Sequence, residues 1–178
     1  MKLPQAALVI DRIRTHYAER TASLASEAPS WPEVLELLRC CFVLGSEGPS
    51  YVQRGEELLR KLPPAERRKP EAQAFQAAFL ALSAKYALWP LEKFNKVNQA
   101  LAQFDRLERQ HPDNLEVLFL ILAVTSRVPV VFHRKAKTAQ LAHRVNELYD
   151  RQGTELLSAD WQAYTLDFLL RNGLRRSQ

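Results

Sequence analysis

Apolar residues recur every three or four positions along nearly the whole chain, and no stretch of useful length alternates apolar and polar residues as a strand does. The pattern is clearest between Pro90 and about Gln110, where an apolar face lies opposite a polar face of lysine, glutamine and arginine residues. The apolar positions are Leu91, Phe94, Val97, Leu101, Phe104 and Leu107. The periodicity therefore predicts an all-α protein of about eight helices.

Proline, glycine and capping residues divide this pattern into separate helices. Ser30 is followed three residues later by Glu33, which is the pattern of a capping box and predicts a helix start. Asp113 and Glu116 repeat that spacing and predict a second start. Gly153 predicts the end of the seventh helix, because glycine commonly follows a helix C-terminus.

These boundaries predict a single all-helical domain over residues 1–178, in which consecutive helices form antiparallel pairs. The pairs occupy about 31–62, 70–110 and 114–151, and terminal helices occupy about 5–24 and 158–172. Because short connections join antiparallel neighbours, this order favours stacked pairs. We expect the two terminal helices to cap the ends of the stack, as the terminal elements of solenoids do.

The segment 114–126 is apolar almost all round and therefore predicts the most buried helix. A membrane-spanning helix needs about twenty mostly apolar residues, and this segment is shorter and is followed by Arg127 and Pro129. The apolar stretch near the N-terminus is interrupted by Asp11 and Arg12, too early for the core of a secretion signal. We therefore expect no membrane span and no such signal.

A more specific motif is formed by Ala100, Phe104 and Pro112. A small residue, an aromatic residue four positions later and a proline eight positions after that resemble the second helix of a tetratricopeptide repeat. The central half of the chain is thus similar to degenerate tetratricopeptide-repeat-like (TPR-like) scaffolds, including uncharacterised bacterial proteins. The resemblance implies a right-handed α-solenoid and no catalytic activity. A plain bundle of amphipathic helices remains an alternative explanation.

Composition narrows the class of protein only moderately. The 47% of hydrophobic and 25% of charged residues exclude a disordered chain, and the net charge of +5 is mild. Cys40 and Cys41 are adjacent within an apolar helical run, whereas a disulfide framework needs spaced cysteines. This pair predicts reduced thiols and a cytoplasmic protein; a vicinal redox pair is the alternative.

The chain shows no motif for catalysis or for metal binding. Its four histidines lack metal-ligand spacing, and neither a glycine-rich phosphate loop nor a nucleophile elbow occurs. We therefore expect no enzyme activity, no metal and no cofactor.

One interval of the sequence, residues 117–146, contains no acidic residue. A cationic surface there, next to the apolar run 128–132, could hold an acidic peptide or a phosphate backbone. The alternative is a solvated helix face that is balanced by acids from neighbouring helices. The candidate binding residues are Arg127, Arg134, Lys135, Lys137 and Arg144.

A second candidate region surrounds the predicted turn between the fourth and fifth helices. Lys85 and Lys93 flank this turn, and Asn95 and Asn98 follow within the fifth helix although asparagine is a mediocre helix former. In tetratricopeptide scaffolds, lysine and asparagine on inner helix faces often hold a peptide carboxylate. Trp89, in the turn itself, is expected to anchor the core or the turn.

The sequence therefore favours a non-enzymatic scaffold or adaptor for protein–protein interaction, which presents a helical groove to a peptide or subunit. The basic residues suggest that this partner is acidic. The alternative is binding of nucleic acid or of another anionic ligand through the 127–144 surface. The identity of the partner and the oligomeric state stay open.

Overall fold

The structure is a computed structural model that describes residues 4–23 and 29–175, with side chains described for 7–22, 29–152 and 157–175. Within these residues the chain forms nine α-helices and no strand, as the periodicity predicts. The helices are α1 (Pro4–Ser23), α2 (Trp31–Leu44), α3 (Pro49–Lys61), α4 (Pro64–Arg67), α5 (Pro70–Tyr86), α6 (Pro90–Gln110), α7 (Leu115–Thr125), α8 (Lys135–Leu156) and α9 (Ala159–Arg171). The predicted end of the first helix at position 24 lies outside the described residues.

Proline sets many of these starts, as predicted. Pro49, Pro70 and Pro90 each occupy the first turn of a helix, where the missing N–H group would have no partner in any case. The connector after α3 contains one unpredicted element, the short helix α4, which begins at Pro64. Arg67 of α4 donates hydrogen bonds to the Arg60 and Leu62 carbonyl groups and so satisfies the end of α3.

Two of the predicted boundaries need correction. The helix that starts at residue 135 continues through Gly153 to Leu156, so this glycine does not end it. The residue that caps α7 is Asn114, whose Oδ1 accepts a hydrogen bond from the Val117 N–H at 3.0 Å, and not Asp113. The start predicted at Ser30 is confirmed, because the Glu33 carboxylate accepts a 2.8 Å hydrogen bond from the Ser30 N–H.

The helices pack in the predicted consecutive pairs, α2 with α3, α5 with α6, and α7 with α8. Helix α5 is central, because it also contacts α2, α3 and α7. Helix α1 packs against both α2 and α9, so the first and last helices lie side by side. This contact differs from the expectation that they cap opposite ends of a stack, where they would be far apart.

The buried side chains form one continuous core, and every residue of α7 is buried, as predicted. At its centre Trp161 of α9 packs edge-on against Phe119 of α7, with ring centroids 5.3 Å apart, and against Phe42 of α2 at 6.3 Å. Such aromatic pairs add to the free energy of burial. Phe104, one of the predicted apolar positions of α6, is 1% exposed. The core therefore binds distant helices together.

A buried ion pair crosses this core. Nε of Arg39 on α2 donates to Glu116 Oε1 on α7 at 2.8 Å, and the same guanidinium also contacts Glu116 Oε2 and Glu36. Burial raises the pKa of Glu116, and the hydrogen bonds from Arg39 oppose that rise. Because an unpaired buried charge is very costly, each partner requires the other.

Candidate functional site: an apolar groove beside helix α6

The exposed large apolar side chains are concentrated at the start of α6. Leu88 and Trp89, in the turn before this helix, are 88% and 73% exposed, and Leu91 follows at 70%. Phe94, one turn further along the predicted apolar face, is half-exposed. The sequence predicts that Trp89 anchors the core or the turn; it lies in the turn, at the N-cap of α6, and the core role is wrong. The apolar face of α6 extends beyond the part of the helix that the core covers.

A second exposed apolar segment lies after α7. Pro129 starts a short 3-10 turn, Val130–Phe132, in which Val130 and Val131 are highly exposed. Phe132 stacks on Phe94 with ring centroids 5.3 Å apart, so this segment contacts α6 directly. The two exposed apolar segments, 88–94 and 130–132, are thereby neighbours in space.

Between these segments lies a groove of about 490 Å³. It is surrounded by the C-terminal ends of α2, α5 and α7, by α6 and by the segment 128–132. Most of its lining is apolar, which is typical of binding sites. The lining residues are Phe42, Ser46, Ala81, Leu82, Ala84, Lys85, Lys93, Phe94, Val97, Ala123, Val124, Arg127, Val128, Pro129 and Phe132.

Two hydrogen bonds join the helix ends beside this groove. Lys85 Nζ donates to the Ser46 carbonyl at 2.6 Å, and Tyr86 Oη donates to the Gly45 carbonyl at 2.7 Å. These bonds tie the end of α5 to the end of α2. The groove is therefore built on helix ends that are joined to each other by hydrogen bonds.

The charged groups that line the groove are all cationic among the described residues. They are Lys85, Lys93 and Arg127, three of the predicted binding residues from both candidate regions. The Arg127 guanidinium lies 5.4 Å from the ring centre of Phe168, while Lys93 is exposed and its ammonium group has no ion pair or hydrogen bond within the described part of the chain. The groove thus combines an apolar interior with a positive border.

The remaining basic residues of the 127–144 interval are mostly held by acids of α6. Arg134 forms a two-pronged ion pair with Asp105 at 2.7 and 2.9 Å. Lys137 contacts Asp105 at 2.6 Å and Glu108 at 2.7 Å, and Arg144 contacts Glu108 at 2.9 Å. These cations join α8 to α6 instead of forming a free surface, which is the alternative that the sequence left open.

The charge state of Asp105 reflects these contacts. Its partial burial would raise its pKa, but the hydrogen bonds from Arg134 and Lys137 outweigh that effect and hold the pKa below its ordinary value. Asp105 is therefore ionised wherever the protein is near neutral pH, and it locks α8 onto α6.

Lys135, Asn95 and Asn98 are exposed and lie outside the groove lining. Asn95 and Asn98 share α6 with Lys93 and Phe94 but are not brought into the groove with them. The structure therefore divides the predicted set: Lys85, Lys93 and Arg127 come together, and the other predicted residues do not join them.

The two cysteines do not form a reactive site. Both are buried free thiols, and burial raises the pKa of Cys40 to about 12 and that of Cys41 to about 12. A thiol with such a pKa is scarcely ionised near neutral pH and is a poor nucleophile.

The described part of the chain contains neither a metal-binding cluster nor a membrane-spanning helix. Its His, Cys, Asp and Glu side chains form no group of three that could hold a metal ion. None of its helices combines the length and apolarity that are needed to cross a membrane.

Comparison of the chain with models of protein families, with curated proteins and with solved structures finds no match. The assignment of a role to the groove therefore depends on its geometry alone.

Proposed function

We propose that this protein is a non-enzymatic scaffold or adaptor that binds a protein partner through the groove beside α6. The observation that carries this proposal is the cluster of exposed apolar side chains on both sides of the groove. Scattered exposed apolar residues are normal on a protein surface, whereas a contiguous apolar patch marks an interaction site. Burying this patch against a partner would extend the core outward.

The extent of the patch favours a macromolecule over a small ligand. Leu88, Trp89, Val130 and Val131 are among the most exposed apolar side chains, and they do not line the groove itself. A small molecule seated between Phe94 and Val124 would leave them in water. A protein partner that reaches over both borders would cover them, and aromatic residues such as Trp89 are enriched at interfaces of that kind.

The TPR-like character and the cytoplasmic location belong to the same proposal. Ala100 and Phe104, the residues of the repeat-like motif, are buried at the α6 interface with its neighbours, which suits a scaffold of packed helix pairs. The buried free thiols of Cys40 and Cys41 suit a reducing compartment. The ion pairs of Arg134, Lys137 and Arg144 give no comparable support to binding of nucleic acid.

Site-specific photocrosslinking tests this proposal. The photoreactive amino acid p-benzoylphenylalanine replaces Phe94 in one variant and Asn98, exposed on the same helix but outside the groove, in a matched control. After irradiation in native cells, we expect discrete protein adducts at position 94 that are missing at position 98. Adducts of equal identity and yield at both positions, or none at position 94, would refute a role for the groove in protein binding.

A further inference from the structure

The groove also constrains the form of its partner. The apolar stripe of α6 beside the groove runs from Leu91 through Phe94 to Val97, and the last two of these residues line the groove. At 1.5 Å per residue the six steps of this stripe cover about 9 Å. An amphipathic helix that presents apolar anchors at positions i, i+3 and i+7 spreads them over about 10 Å by the same rise. The length of the stripe thus matches two turns of a helix.

The backbone around the groove favours a helix over an extended peptide. An added strand gains its affinity from backbone hydrogen bonds to an open sheet edge. Here the walls are helices and a 3-10 turn, in which the Phe132 and His133 N–H groups already donate to the Pro129 and Val130 carbonyl groups. An extended partner would lose water from its own backbone without replacement, whereas a helix satisfies its backbone internally.

The charges fix the remaining property of the partner. Lys93 lies on α6, Arg127 follows the end of α7, and Lys85 lies near the end of α5, so the three cations come from different elements around the groove. Since none of the described residues that line the groove is acidic, a partner with acidic residues beside its apolar stripe would meet complementary charge there. A partner with basic borders would be repelled.

Building on the proposed function, we propose that the groove binds an amphipathic α-helix of a partner protein, with apolar anchors flanked by acidic residues. Two libraries of 18-residue peptides displayed on phage provide the test. Both carry varied apolar residues at i, i+3, i+4 and i+7, with glutamate at the flanking positions in one library and lysine in the other. We expect selection on the intact protein to enrich the glutamate library.

The affinity of the selected peptide for variants of the protein, measured by fluorescence anisotropy at low salt, then shows where the peptide binds. Phe94→Asp should weaken binding at least about 10-fold, as loss of a central aromatic contact does. Lys93→Glu should weaken it about 5-fold, and added salt should reduce that difference. The matched controls Asn98→Asp and Lys135→Glu, both exposed and outside the groove, should stay within about two-fold of the parent. Thermal melts confirm that all four variants fold.

The possible results separate this inference from the proposed function. A proline at the centre of the selected peptide should abolish binding, because it breaks the helix. Equal binding of that peptide, or enrichment of the lysine library with sensitivity to Phe94→Asp, would overturn the acidic helix and leave a protein-binding groove in place. If neither library yields a peptide sensitive to Phe94→Asp, both proposals fail.

Two other occupants would also overturn the proposal. In sedimentation equilibrium, self-association abolished by Phe94→Asp would assign the groove to a second copy of the chain. In co-sedimentation with vesicles of anionic phospholipid, binding abolished by Trp89→Ala would assign the patch to a membrane surface. We expect a monomer in the first measurement and no vesicle binding in the second.

Discussion

Replacing Gly55 with alanine tests how closely α3 approaches α5. Gly55 lies inside α3, and a Cβ atom built there would lie 2.3 Å from Cζ of Phe79 and 2.6 Å from its Cε2. Ordinary contacts of this kind are 3.4–4 Å, so the ring would have to move by about 1 Å. Phe79 is fully buried and stacks on Phe75 with centroids 6.1 Å apart, which leaves it little room to move.

Two opposing effects set the size of the change. Alanine is a better helix former than glycine by about 1 kcal/mol, which by itself would stabilise α3. Overpacking of a full core costs about 1–3 kcal/mol, and displacement of a buried aromatic ring belongs at the upper end of that range. The net result for Gly55→Ala is a loss of about 2 kcal/mol, or a fall of about 4–8 °C in Tm for a domain of this length.

Urea and thermal unfolding followed by circular dichroism measure this loss, and a second substitution identifies its cause. Phe79→Leu removes the ring atoms that the new methyl group would contact. In that background Gly55→Ala should be neutral or stabilising, which gives a coupling of about 2 kcal/mol or more in the double-mutant cycle. Stabilisation by Gly55→Ala in the parent protein, or the same loss in both backgrounds, would show that the two helices are not in this contact.

Three further predictions concern charges and thiols. Arg39→Met should destabilise the protein by about 3–5 kcal/mol because it leaves Glu116 buried and unpaired, and adding Glu116→Leu should restore most of that stability in urea melts. Asp105→Asn should lower the free energy of unfolding by about 1 kcal/mol at pH 7. Because folding lowers the pKa of Asp105, this loss of stability should shrink as the pH falls below 3.8, the ordinary pKa of the group, and the parent carboxylate is protonated. Cys40 and Cys41, with pKa values of about 12, should react with a thiol-specific disulfide reagent at pH 8 only after unfolding, and rapid labelling of the folded protein would contradict their burial.

Most helix boundaries could be predicted from local signals in the sequence. Pro49, Pro70 and Pro90 fix the backbone angle of the first turn whatever surrounds them, so their effect can be recognised without a structure. The N-cap of α7 could not be assigned from local signals alone. Asp113 and Asn114 are adjacent and both suit an N-cap, and the choice of Asn114 accompanies a tertiary contact, a 2.7 Å hydrogen bond from its Nδ2 to Glu71 of α5.

Ion pairs between residues distant in sequence determine which of the predicted basic residues are free to bind a partner. The interval 117–146 contains no acid, but Asp105 of α6 lies 29 residues before Arg134 and forms an ion pair with it, directly before the start of α8. Arg39 and Glu116 are 77 residues apart, so their ion pair also has no local signal. Sequence spacing describes one helix at a time, and these pairings depend on which helices become neighbours.

Helix α6 shows why the exposed apolar residues beside the groove could not be recognised from the sequence. Its apolar stripe is continuous from Leu91 to Leu107, so the periodicity alone predicts one uniformly buried face. Only the second half of that face, which includes Phe104, is covered by the core. The first half has the same pattern but faces the groove. Since an apolar stripe stabilises a helix mainly by being covered, the uncovered half of α6 would gain its stabilisation when a partner binds. Binding would then cover the part of the α6 apolar stripe that the core leaves exposed.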